Sequence, residues 1–141
     1  MRGESPILYK TPYLREFIHV EDAVRIILKL DALLADGDER VNGHAFNVGS
    51  GQQRDISEVV AEVLLNFPEI VPTWTPAPPI SRVEIPFQQL SLAKLHRVLG
   101  ESGSFARPFR YTIKSLVNWW CERWPTLPAA LKEHRVTSWH G

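Results

Sequence analysis

Apolar positions along the chain alternate between short strand-like runs and longer stripes at helical spacing. Ile7-Leu8-Tyr9 and Phe17-Ile18-His19-Val20 read as short strands separated by Pro12. Ala23, Ile26, Ile27, Leu30, Leu33 and Leu34 then recur at the period of a helix, with Arg25 and Lys29 facing away. Glu21 and Asp22 fall in or just before its first turn, where negative charge suits the helix dipole. Asp36-Gly37-Asp38 closes this helix, and a polar loop runs to about Gly43. Ala45-Phe46-Asn47-Val48 is expected to be a short buried strand, stopped by Gly49-Ser50-Gly51. Asp55 or Ser57 caps the next helix, whose apolar face is Val59, Val60, Val63, Leu64 and Phe67.

The stretch from Pro68 to Pro86 holds six of the eleven prolines and reads as a packed, irregular crossing, with a strand candidate at Ile70 to Thr75. Leu92, Leu95, Val98 and Leu99 mark a third helix closed by Gly100. Thr112 is the expected cap of a fourth, with Ile113, Leu116, Val117, Trp120 and Trp124 on one face and Pro125 as its stop. A short fifth helix is expected from about Pro128. The fold class is therefore α/β, mixed α+β, in one domain over residues 1–141, with too few strands for an independent doubly wound sheet.

Composition narrows the partners. Sixteen basic residues balance sixteen acidic ones, and no basic stripe is visible, which argues against a nucleic-acid partner. The single cysteine, Cys121, excludes an internal disulfide framework and fits a reducing cytoplasm. No apolar run reaches membrane-spanning length, and Met1 to Pro6 lacks a signal-peptide apolar region. The expectation is a soluble cytoplasmic protein without a membrane partner.

Several local patterns invite chemistry. A strand, then Gly49-Ser50-Gly51, then a helix, has the layout of a dinucleotide loop, but the third small residue of that motif is replaced by Arg54. The acidic residue due about twenty positions later would be Glu69, inside a proline-bounded loop. A tight strand-to-helix turn accounts for the same residues, while backbone amides beside Arg54 still make a candidate phosphate loop. His19, Glu21, Asp22 and His44 match no metal-ligand spacing, so no metal is expected. The stretch from Gly100 to Tyr111 is too long for the turn of a helix-turn-helix. Trp119, Trp120 and Trp124 are read as core. Arg15 and Arg82 are the sharper candidates, because a guanidinium offers planar bidentate donors to phosphate and stays charged.

Three ordered segments carry a resemblance. Arg15-Glu16-Phe17-Ile18-His19-Val20-Glu21-Asp22 resembles the Arg-Asp-Phe-Ile-His-Val-Asp-Asp motif of the NAD-dependent nucleotide-sugar epimerases and dehydratases, the extended short-chain dehydrogenases. Phe46-Asn47-Val48-Gly49-Ser50-Gly51 is similar to that family's Tyr-Asn-Ile-Gly-Ser-Gly strand. Arg82 with Ser91-Leu92-Ala93-Lys94-Leu95 and Leu99-Gly100 resembles its Asp-x-Ser-Lys-Ala…Leu-Gly segment. The resemblance implies that Arg15 and Arg82 contact the diphosphate of a nucleotide sugar, with Asn47 nearby. It further implies a C-terminal substrate-binding portion, with a few short strands and four to five helices, lacking the main Rossmann half. Met1 to Pro6 is similar to an internal segment of such enzymes.

The departures bear on mechanism. The family's tyrosine moves a proton while NAD takes a hydride, and a lysine four residues later tunes it. Tyr9, Tyr13 and Tyr111 are followed at that distance by Tyr13, Phe17 and Ser115, so the pair is absent, as is the glycine-rich NAD loop. No residue of this chain is assigned as catalytic. No cofactor is expected on this chain alone; NAD or NADP belongs to the complete enzyme, an isomerase or a lyase. Whether the chain is itself an enzyme stays open. One reading is the nucleotide-sugar-binding portion of an epimerase or dehydratase, and the alternative is a stand-alone binding, regulatory or interaction module that has lost catalysis. Lacking the larger sheet, the chain is expected to leave apolar surface that meets a separate NAD-binding chain or a second copy.

Overall fold

The computed structural model of the protein describes residues 6–10, 13–76, 85–100 and 104–126. In chain order these form β1 (Ile7–Lys10), β2 (Leu14–Glu16), α1 (Val20–Ala35), β3 (Gln53–Asp55), α2 (Ile56–Leu64), β4 (Thr73–Pro76), α3 (Ala93–Leu99) and α4 (Phe109–Arg123), followed by a 3-10 turn at Trp124–Thr126. The chain is thus mixed α/β, with four α-helices and a few short strands among the described residues.

Strands pair in twos. β1 runs parallel to β4, with Leu8 opposite Trp74, and β2 runs antiparallel to β3, with Arg15 opposite Arg54. The segment after the proline-rich crossing joins the outer side of β2: Leu14 donates its N–H to the Pro86 carbonyl, and the Gln88 N–H donates to the Leu14 carbonyl. The buried apolar residues are Ile26 of α1, Val41, Leu92, Leu95 and Val98 in and beside α3, and Ile113 and Val117 of α4.

Helix boundaries follow local chemistry. Asp55 caps α2 by accepting from the Ser57 N–H at 2.7 Å, and Gly100 ends α3 at φ 66°, in the left-handed region that glycine adopts without strain. α4 begins at Phe109 behind Pro108, three residues before the expected Thr112 cap, because proline supplies an extended φ without needing an N–H partner. Only Ile113 and Val117 of its apolar face are buried; Leu116, Trp119 and Trp120 stay 47%, 44% and 42% exposed, so the tryptophans are not core as expected. Trp119 and Trp120 instead pack edge-to-face on each other. The helix expected from Pro128 lies outside the described residues.

Two strand expectations change. The strand near the first arginine is Leu14–Glu16, and His19, expected inside a strand, is the N-cap of α1. Its Nδ1 accepts from the Glu21 N–H at 3.2 Å. Its Nε2 lies within hydrogen-bonding distance of Ser115 Oγ, at 3.3 Å. Ala45 to Val48 forms no strand and pairs with none of β1 to β4 among the described residues. A ladder needs a neighbour, whatever the local propensity.

Candidate functional site

The β2–β3 ribbon is the centre of the site. Directly opposed residues of an antiparallel pair share a face, so Arg15 and Arg54 stand side by side, while Glu16 points to the other face. Like charges so placed repel, and each arginine is held by its surroundings. The Arg54 guanidinium lies 4.3 Å over the Phe109 ring, donates to Gln52 Oε1 at 3.1 Å and sits 3.9 Å from Glu58. Arg15 donates to its neighbour's carbonyl at Leu14 and lies 5.1 Å over the Tyr13 ring. Both are half-buried, and each guanidinium stacks over an aromatic ring.

On the opposite face, Glu16 acts as a clamp. Its carboxylate accepts the Gly51 N–H at 2.7 Å and the Leu90 N–H at 2.9 Å, tying the glycine turn to the segment that follows the proline-rich crossing. The approach is so close that a Cβ on Gly49 would collide with Glu16 Oε1, which accounts for glycine at that position. Gly51 has φ 73° and also needs to be glycine. The turn therefore spends an amide on an internal carboxylate. An NAD pyrophosphate would meet that negative charge, so Gly49-Ser50-Gly51 does not fit a dinucleotide.

A second polar cluster fixes the start of α1. Asp22 is fully buried and accepts from the Arg107 backbone N–H at 3.0 Å, from Arg107 Nε at 3.1 Å and from Arg25 at 2.6 Å. Arg107 also donates to Glu21 at 2.8 Å. Burial alone would raise the Asp22 pKa; the hydrogen bonds from Arg107 and Arg25 outweigh it and hold the carboxyl below its ordinary value. With the Phe17–Phe109 ring pair at 6.1 Å, this cluster and His19 lock the ribbon and α1 onto the N-terminal half of α4.

Asn47 donates from its side chain to the Ser91 carbonyl at 3.1 Å, tying its loop to the segment before α3. Arg82 lies outside the described residues. The structure thus brings Arg15 and Arg54 together, which their sequence positions did not reveal. Sequence reasoning missed Glu16 and Arg107 and saw Asp22 only as a helix-start charge. The adjoining Glu16 and Asp22 within a motif of fixed spacing were the available signal. Among the described residues, no group of three or more His, Cys, Asp or Glu could hold a metal ion, and no helix is long and apolar enough to cross a membrane.

No protein-family model matches the sequence, and a comparison with curated proteins finds no match. Among solved structures the chain is similar to RMD from Pseudomonas aeruginosa, determined in complex with NADPH, with a TM-score of 0.63 and 21% identity. The match covers 84% of this chain and 36% of the RMD chain, so the protein spans little more than a third of RMD's length. At that identity the likeness is one of fold: this chain has the architecture of one part of a larger protein that carries NADPH.

Proposed function

We propose that the chain is the nucleotide-sugar-holding portion of an NAD(P)-dependent sugar epimerase or dehydratase and does not complete the reaction alone. The observation that carries this reading is the Arg15–Arg54 pair, two arginines at directly opposed positions of one ribbon. Repulsion between them is relieved by an anion bearing two or more charges, and a diphosphate supplies these with oxygens suited to bidentate donors. Arg15 is the principal diphosphate contact and Arg54 a second phosphate contact. Arg82 is the further clamp that the resemblance implies. Asn47, whose side chain donates to the Ser91 carbonyl, is the weaker contact that the resemblance implies.

The fold likeness to part of an NADPH-complexed protein supports the family reading, and the Glu16-filled glycine turn supports a cofactor held elsewhere. The chain lacks the Tyr-x-x-x-Lys pair through which that family moves the proton of the sugar. Incubation of the chain with NAD, NADP and a panel of UDP- and GDP-sugars is expected to yield no product, whereas the same sugars raise its melting temperature more than nucleoside monophosphates do. Turnover by the isolated chain, or an equal response to mono- and diphosphates, would overturn the reading.

A further inference from the structure

The C-terminal end of α2 and the first turns of α4 border a cavity of about 330 Å³, whose described lining includes no residue of the arginine ribbon. Glu62, Leu65 and Asn66 line it from α2 and the turn after it, and Arg110, Tyr111 and Lys114 from α4. Charge is divided between the two walls. Arg110 and Lys114 stand one turn apart on the same helix face, where like charges repel each other. Glu62 is half-buried on the other wall. Among the described residues neither cation pairs with Glu62 or with another carboxylate, although Arg25, Arg40, Arg54 and Arg107 all do so elsewhere. Asn66 donates its side-chain amide to the carbonyls of Glu62 at 3.1 Å and Val63 at 3.3 Å, which leaves its Oδ1 as an acceptor. One wall therefore carries acceptors and the other carries cations. The helix dipoles run in the same sense, since the C-terminal end of α2 is its negative pole and the N-terminal end of α4 its positive pole.

From this division of charge we infer that the cavity binds a small zwitterion, an α-amino acid with an apolar side chain. Its ammonium sits at Glu62 and Asn66, and its carboxylate bridges Arg110 and Lys114. A simple anion would suit the α4 wall but meet repulsion from Glu62, and a simple cation would meet the reverse. A molecule carrying both charges a few bonds apart answers both walls at once, with charge-assisted hydrogen bonds at each end. The volume is at the small end of the range for small-molecule sites. Leu65 and Tyr111, 75% and 58% exposed, supply the apolar surface that the ligand's side chain covers. The inference is independent of the proposed function, because it uses neither Arg15 nor Arg54.

Titration of the full isotope-labelled chain with L-leucine and L-phenylalanine, followed by amide NMR, tests this. Saturable shifts are expected at Leu65, Asn66, Tyr111 and Lys114. N-acetyl-leucine, which lacks the ammonium, and leucinamide, which lacks the carboxylate, are expected to bind at least tenfold more weakly. Glu62→Gln should cut the affinity for the amino acid at least tenfold, and Lys114→Gln should do the same, each with an otherwise unchanged spectrum. Equal affinity for N-acetyl-leucine, the sign of an anion site only, would overturn the inference. So would equal affinity for leucinamide, the absence of saturation by either amino acid, or unchanged affinity in both variants.

Discussion

The region around Asp22 and Glu16 and the outer side of α1 solve opposite problems with the same backbone. In the first, carboxylates reach amides and guanidinium groups 35 to 86 residues away in the chain, and every contact is made inside the protein. In the second, Val24, Ile27, Leu28 and Leu34 stay 46% to 61% exposed, and Phe46 borders a groove. The polar junction is therefore complete by itself and holds the arginine ribbon at a fixed angle to α1. The apolar side is unfinished.

Substitutions on the two sides should therefore differ sharply in effect. The largest is expected for Asp22→Ala, which strands Arg107 and Arg25 without their buried acceptor and should cost about 3 kcal/mol in urea unfolding. Because the folded pKa of Asp22 is depressed, its contribution is complete above the unfolded carboxylate value and is lost as pH falls through the folded one. Wild-type stability should thus drop below about pH 4, and Asp22→Asn should flatten that part of the profile. Equal stability of wild type and Asp22→Ala at pH 7 would remove the junction's special status.

Glu16→Ala comes next, at about 2 kcal/mol, since two amides lose a charged acceptor that water partly replaces. Amide exchange at Gly51 and Leu90 should accelerate together in this variant, and acceleration of only one would show that the clamp does not act as a unit. Leu34→Asp on the open side should change stability by less than about 0.5 kcal/mol, as an exposed substitution does, while lowering any concentration-dependent association in sedimentation. A loss comparable to that of Asp22→Ala would mean the apolar side is already covered within the chain.

The legible features were local. Six apolar positions marked α1, Asp55 marked the start of α2 and Gly100 the end of α3, because periodicity and caps act within one or two turns. The strand expected at Phe17 to Val20 lies earlier, at Leu14–Glu16, because its pairing partner is β3, nearly forty residues on, and because a histidine serves as the cap. The strand expected at Ala45 to Val48 does not form because nothing among the described residues pairs with it. In the site, Arg15 stood out by residue type and motif, but its opposition to Arg54 depends on register, which no local signal specifies. The Asp22–Arg107 contact spans 85 residues and could not be read from either neighbourhood.

We propose that the arginine ribbon holds the diphosphate of a nucleotide sugar. Calorimetric titration of UDP- and GDP-sugars into wild type, Arg15→Ala and Arg54→Ala tests it most directly, with unfolding curves confirming that the variants stay folded. Saturable binding to wild type is expected, with at least tenfold weaker binding to Arg15→Ala, equivalent to about 1.4 kcal/mol, and a smaller loss for Arg54→Ala. No binding to wild type, or equal affinities in all three proteins, would contradict it.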